Sequence, residues 1–209
     1  MNKSNFTIFY RIVAATAIFA AIMTQFNNSL SEPTEFNAIN FFSFFTIQSK
    51  IIIAVVFLIS VYFLIMQRSS KKLEFIRGAS ILFMVITGII YFLLLRNVDV
   101  QISTPWINNV LHYIIPTVAL LDWLLNPPAR KIKFKHALLW LLFPFVYLLY
   151  QPIRGSLIGW YPYPFLSDND HSYTQIALTC AVVFIGLLVL VWSLTIVTPK
   201  VTKEKTTNF

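Results

Sequence analysis

The sequence predicts an all-α polytopic membrane protein, with six transmembrane helices in one bundle and both termini in the cytoplasm. Three observations predict it. Of the 209 residues, 57% are hydrophobic and only 11% charged, too few charges to coat a soluble globule of this size. Six apolar segments reach, or nearly reach, the length needed to cross about 30 Å of hydrocarbon. The basic residues then fall in short segments between them, as membrane-flanking charges do.

The spans run over 7–26, 42–66, 75–95, 106–125, 135–150 and 175–197. The first has an alanine-rich stretch at 14–21 that invites comparison with a signal peptide, but its apolar run is longer than an h-region. It therefore counts as a span. The fifth is short and interrupted by Pro144; neighbouring helices can satisfy the carbonyl that such a proline frees. Residues 1–199 form one transmembrane domain, and the polar tail 200–209 is expected to be a disordered cytoplasmic extension.

Orientation follows from charge. Lys3, Arg11, Arg68, Lys71, Lys72, Arg77, Arg130, Lys131, Lys133, Lys135, Lys200, Lys203 and Lys205 all fall on one side of a six-span chain. The other side receives Lys50, Arg96 and Arg154, together with Glu32, Glu35, Asp99, Asp168 and Asp170. The positive-inside rule places the basic side, and with it both termini, in the cytoplasm. The net charge of +8 is accounted for by this flanking pattern, so nucleic acid is not an expected partner. A multipass protein of the cell (inner) membrane is.

Few chemistries survive the inventory. Cys180 is the one cysteine, which excludes an intrachain disulfide and a thiolate zinc site. No His-Glu-x-x-His pattern or glycine-rich phosphate loop is present. His136 falls on the cytoplasmic side, and His171 in the outer loop has no ligand spacing with His112. No metal and no organic cofactor are expected.

What remains is polar chemistry inside the membrane. His112 sits within the fourth span, and an ionisable group there is a functional-site candidate by default. It lies six residues past Trp106, or ~9 Å deep; Thr46 lies four past Phe42, or ~6 Å deep. Both spans start on the outer side, so the two groups share a level. Asn108 and Asn109 precede His112 by four and three residues, which puts them on its face of a regular helix. Around Thr46, Ser43, Ser49 and Lys50 make a polar stripe that should face the bundle interior, while Gln48 turns away.

A threonine hydroxyl and a neutral imidazole in hydrogen-bond reach make a nucleophile and its base. Oxyanion donors would still be needed, and Gln48, Asn109, Lys50 and Arg154 are all open as candidates, with Asn108 or Asn109 orienting the imidazole and Ser49 supporting. Structural readings compete. A threonine in a span commonly bonds back to its own i−4 carbonyl, a histidine bridges helices, and a lysine snorkels or contacts a cavity. Asp122, ~15 Å along the helix from His112, is expected to pair near the cytoplasmic end. The outer loop Trp160-Tyr161-Pro162-Tyr163-Pro164-Phe165 reads either as an aromatic belt or as a lid and substrate-entry rim made rigid by its prolines.

Three segments taken together carry a resemblance. Phe44-Phe45-Thr46-Ile47-Gln48-Ser49 opens the second span, Leu111-His112-Tyr113-Ile114-Ile115-Pro116 the fourth, and Gly159-Trp160-Tyr161-Pro162-Tyr163-Pro164-Phe165-Leu166 follows the fifth. In order and spacing, over roughly residues 41–166, they resemble the androgen-induced-gene family, which includes the androgen-dependent regulator of tissue factor pathway inhibitor, and more closely its bacterial relatives. The animal members are multipass membrane threonine hydrolases that cleave fatty acid esters of hydroxy fatty acids. The resemblance implies Thr46 as nucleophile and His112 as its partner. Lys50, one turn below the threonine, departs from the pattern and leaves the substrate open.

The expected function is therefore an intramembrane, threonine-type carboxylic ester hydrolase acting on hydrophobic fatty-acyl esters, with membrane lipids as its surroundings. The rival is a non-enzymatic membrane protein, either a small transporter or a lipid-binding partner subunit. A transporter of this size often shows broken helices in matching halves, and no internal repeat is visible.

Overall fold

A computed structural model describes residues 3–31, 36–96, 104–169 and 171–198, with the Lys3 side chain left out. Glu32, Glu35, Asp99, Asp170, Lys200, Lys203 and Lys205, and with them the tail 200–209, lie outside the described residues. The described chain is helical, with no strand. Five helices are long and apolar enough to cross a membrane: Ser4–Ser31, Phe45–Ile65, Lys71–Leu95, Phe134–Ile158 and Tyr173–Ile196.

Helix α1 (Lys3–Ser31) buries Thr7, Arg11, Ala14, Ile18, Ala21, Ile22 and Gln25, the three-and-four spacing of one helix face. Its alanines let the backbone approach α3 closely. Helix α3 (Phe45–Ile65) answers with Thr46, Ser49, Lys50, Ile53, Phe57 and Ser60 at the same spacing. The opposite faces carry Phe9, Met23, Leu58 and Tyr62 outward, as lipid-facing surfaces should.

The second span differs from its expected form. It begins as a short helix α2 (Ala38–Ser43), capped by the Asn37 side chain. Phe44 is extended (φ −65°, ψ 127°), and α3 starts afresh at Phe45. Thr46 is thus in the first turn of a helix, where backbone N–H groups have no partner within the helix. Two phenols satisfy them. Tyr147 Oη accepts from Phe45 N at 3.2 Å and Tyr163 Oη from Thr46 N at 3.2 Å.

Helix α4 (Lys71–Ile90) continues into a π-helical turn, Tyr91–Leu95. The fourth predicted span is a helical stretch over 105–125, built from α5 (Pro105–Asn109), a π-helical turn Val110–Ile114 and α6 (Ile115–Leu125). It is not among the five most apolar helices, because Asn108, Asn109, His112 and Asp122 interrupt its apolar residues. The fifth span is longer than expected. It comprises α7 (Phe134–Ala137), a 3₁₀ turn Leu138–Leu141 and α8 (Leu142–Ile158), with Pro152 inside. The tightened turn falls just ahead of Pro144, which cannot donate to the carbonyl four residues back. Helix α9 (Tyr173–Ile196) opens with a capping box between Ser172 and Gln175 and keeps Val183, Leu187 and Val191 buried.

The buried ion pairs lie far from Thr46. Asp122 takes Arg11 at 2.7 Å and Arg77 at 2.6 Å, and accepts from Tyr10 Oη as well. This cluster ties α1, α4 and α6 together at the end of the bundle where α3 finishes.

Candidate active site

Thr46 and His112 line the same apolar cavity. Around them stand Phe45, Thr87, Tyr91, Tyr147, Phe165 and Leu187, and the cavity volume is about 40 Å³. That space admits a water-sized molecule or two; an acyl chain has to part the walls. Thr46, His112, Tyr163 and Leu95 also line a second cavity of about 70 Å³, which reaches Gln25 and Ser29 on α1. The four residues therefore form the partition between two voids.

Thr46 is held from the outer loop. Its Oγ1 lies 3.2 Å from Tyr163 Oη, with either hydroxyl able to donate. Since Tyr163 Oη already accepts from Thr46 N, its own proton is free to point at Thr46 Oγ1 or into the cavity. The back-bond to the i−4 carbonyl is not what Thr46 makes. Ser49 sits one turn below, fully buried, and donates to Thr46 O at 3.1 Å.

His112 is positioned by its backbone and by a ring. Ile115 N bonds to Val110 O, five residues back, which makes the turn around His112 a π-turn. Pro116 lacks the N–H that a regular helix would offer to the His112 carbonyl, and the wider turn falls at that place. Tyr91, opening the π-turn of the facing helix, stacks on the imidazole at 4.0 Å between centroids and 18° between planes. Gly88 makes this closeness possible: a Cβ there would stand 3.0 Å from Pro116 Cβ. His112 Nδ1 is buried with no hydrogen-bond partner among the described residues.

The expected helpers divide sharply. Asn108 donates to Tyr91 Oη at 2.6 Å and leaves His112 Nδ1 without a hydrogen bond among the described residues, so its link to the imidazole runs through the stacked phenol. Asn109 is exposed. The wide turn between them and His112 breaks the i, i+4 register on which their shared face depended. Gln48 turns away from the cavity and donates to Phe42 O at 2.9 Å. Arg154 binds Asn40 Oδ1 at 2.7 Å and lies over Trp160, also outside the cavity.

Lys50 neither snorkels nor pairs. Its side chain has 0% exposure, and Nζ has no hydrogen-bond partner among the described residues. It lies close enough to His112 for the two to interact electrostatically.

The outer loop folds inward. Tyr163 is buried and stacks parallel to Phe165 at 5.3 Å, and both rings line the first of the two cavities shared by Thr46 and His112. Trp160 meets Phe44 edge-on at 5.6 Å. Tyr161 lies against Gly155, where a Cβ would fall 2.0 Å from its ring, and donates to Asp168 Oδ1 at 2.6 Å. Burial, then the Asp168 carboxylate, push the Tyr161 phenol up to about 12.

Sequence reasoning missed Tyr91 and Tyr147, and it assigned Tyr163 to the rim rather than to the threonine. Tyr91 carried no signal of its own. For the π-turn, Pro116 was the visible signal. Among the described residues, no three of His, Cys, Asp and Glu come together to hold a metal ion.

The chain was compared with protein-family models, curated proteins and solved structures, and none of them matches.

Proposed function

We propose that the protein is a threonine-type hydrolase of hydrophobic fatty-acyl esters, a bacterial relative of the androgen-induced-gene family. In this reading six helices span the inner membrane, 105–125 included, and both termini are cytoplasmic. The observation that carries it is the shared cavity: Thr46 and His112, from different helices, meet one apolar void together with Tyr163, whose hydroxyl contacts Thr46 Oγ1.

Thr46 Oγ1 attacks the ester carbonyl carbon while its proton passes to the neutral imidazole of His112. The Tyr163 O–H stands beside the attacking oxygen and donates to the oxyanion that develops there. Collapse of the tetrahedral adduct breaks the ester C–O bond, and the leaving alkoxide takes the proton from His112. Water, deprotonated by His112, then attacks the acyl-threonine carbonyl; collapse breaks the bond to Thr46 Oγ1, which takes the proton back from His112 as the carboxylic acid is released. The apolar walls suit a hydrocarbon chain, and the partition between two voids offers separate places for acyl and alcohol portions. No step calls on a metal or cofactor.

The test is covalent labelling of purified protein with a fluorophosphonate, alongside hydrolysis of a small activated ester. Wild type should label and turn over; Thr46→Ala and His112→Ala should do neither while inserting and folding normally. Activity retained in either variant refutes the mechanism. The non-enzymatic lipid-binding reading has one observation in its favour, the Thr46 hydroxyl engaged by Tyr163 rather than by His112. It gains if folded wild type is inert towards both reagents.

A further inference from the structure

The far end of the bundle holds a second polar site, about twenty residues along α3 from Thr46 and so ~30 Å away. There Arg11, Arg77 and Asp122 are 4%, 5% and 1% exposed. Both guanidinium groups converge on the one carboxylate, so two buried cations share a single anion. A desolvated excess of charge is costly unless another ion answers it. Arg77 Nη2 spends a further donor on Asn126 O at 2.7 Å, which relieves hydrogen bonding but adds no negative charge.

An open cavity of about 380 Å³ adjoins the triad, lined among others by Arg11, Arg68, Ser69, Ser70, Glu74 and Arg77. Glu74 is the carboxylate of this lining; it accepts from Ala129 N at 3.2 Å and interacts electrostatically with Arg77, so the cation left over is the exposed Arg68. Three arginines thus face two carboxylates, counting Asp122, and one positive charge stays unanswered. Lys71 and Lys72, both exposed at the start of α4, add to it at the rim. The α4 N-terminus itself is already answered: Ser70 Oγ accepts from Leu73 N at 3.3 Å, and Glu74 stands in the first turn. Arg68 is brought there by the end of α3. Arg68 N bonds to Phe63 O and Gln67 N to Leu64 O, with Gln67 in the left-handed region at φ 52°, a Schellman ending.

We propose that this cavity binds an anionic phosphate ester, with Arg11 and Arg77 as its buried positive floor and Arg68 as its exposed arm. It lies where α3 and α6 end and α1 and α4 begin, the level at which lipid phosphates sit beside a bundle. Basic pockets between spanning helices are suited to such head groups. The ligand is either a membrane phospholipid or a soluble phosphate ester, since both present the same oxygens to the guanidinium groups.

The experiment uses the full chain in detergent. Native mass spectrometry compares retention of phosphatidylglycerol with phosphatidylcholine, and glycerol 1-phosphate is added as a competitor. Wild type should retain phosphatidylglycerol preferentially, and Arg68→Gln should weaken that retention about fivefold, the effect of one interfacial cation. Arg68 is exposed, so its variant keeps the fold even if Arg77→Gln does not. Displacement by glycerol 1-phosphate assigns the site to phosphate esters in general; retention without displacement assigns it to the lipid. Equal retention of both lipids, unchanged in Arg68→Gln and indifferent to glycerol 1-phosphate, overturns the proposal and leaves the triad an interhelical tie. Ester hydrolysis at the opposite end does not enter this readout.

Discussion

The imidazole of His112 and the phenol of Tyr91 lie nearly parallel, 4.0 Å between centroids, each on a π-helical turn of its own helix. Such turns are rare and concentrate at functional sites. Two of them facing each other fix a ring that makes no hydrogen bond through Nδ1 to any described residue. In the proposed mechanism, the stack takes the orienting role that a carboxylate plays in many triads.

Removing that stack should therefore loosen the base without unfolding the bundle. Tyr91→Leu is expected to lower kcat on an activated ester by on the order of 10- to 100-fold, the scale of a misplaced catalytic group. Tyr91→Phe keeps the ring, loses only the bond from Asn108 Nδ2, and should retain most of the activity. Equal losses in both variants would assign the role to the hydroxyl instead.

Tyr163→Phe deletes the hydroxyl next to Thr46 Oγ1 and keeps the ring stacked on Phe165. If the phenol donates to the oxyanion, kcat should fall by about 10²-fold with KM little changed. A rise in KM alone would make Tyr163 part of substrate binding rather than of the chemical step.

Lys50 is a buried amine without a described hydrogen-bond partner, which burdens the fold. Lys50→Met matches its length and should raise stability by about 1–3 kcal/mol, read as a higher unfolding temperature in detergent. The same variant should hydrolyse esters more slowly, because residues kept against stability tend to serve function. A variant that is more stable and fully active would mark Lys50 as dispensable.

The inward fold of the outer loop rests on Tyr161 against Gly155. Gly155→Ala should push the ring away at about 1–3 kcal/mol, the cost of overpacking, and open the loop to protease. The bond from Tyr161 to Asp168 has a pH signature. Its phenol is raised from 10.0 to about 12 in the fold, so the folded state holds the proton more tightly and the stabilisation is full below 10. It falls as pH rises through about 12. Protease sensitivity of the loop should stay constant through neutral pH and increase between those limits, and Tyr161→Phe should abolish that increase.

Much of this arrangement was legible in the residues. Hydropathy gave the apolar helices, and counting from Phe42 and Trp106 placed Thr46 and His112 at one level, where they do line one cavity. Asp122 pairs at the far end, as its distance from His112 required. What could not be read was the backbone between regular stretches. The break at Phe44 depends on phenols from residues 147 and 163 that cap α3, and nothing near Thr46 in the chain announces them. The π-turn at Val110–Ile114 undoes the i, i+4 arithmetic for Asn108 and Asn109. The sequence leaves Lys50 two readings, an inward-facing polar stripe or a side chain that snorkels or contacts a cavity; its full burial agrees with the stripe and not with snorkelling.

Tyr163 does two jobs with one oxygen. It is a buried residue of the outer loop, and it contributes to the first turn of α3 by accepting from Thr46 N. The loop and α3 are therefore interlocked: swinging the loop outward strands the backbone donor of Thr46, the proposed nucleophile, at about 1–3 kcal/mol. A molecule that arrived beneath the loop would disarm the site on its way in. One that slid sideways between helices from the lipid would find it armed.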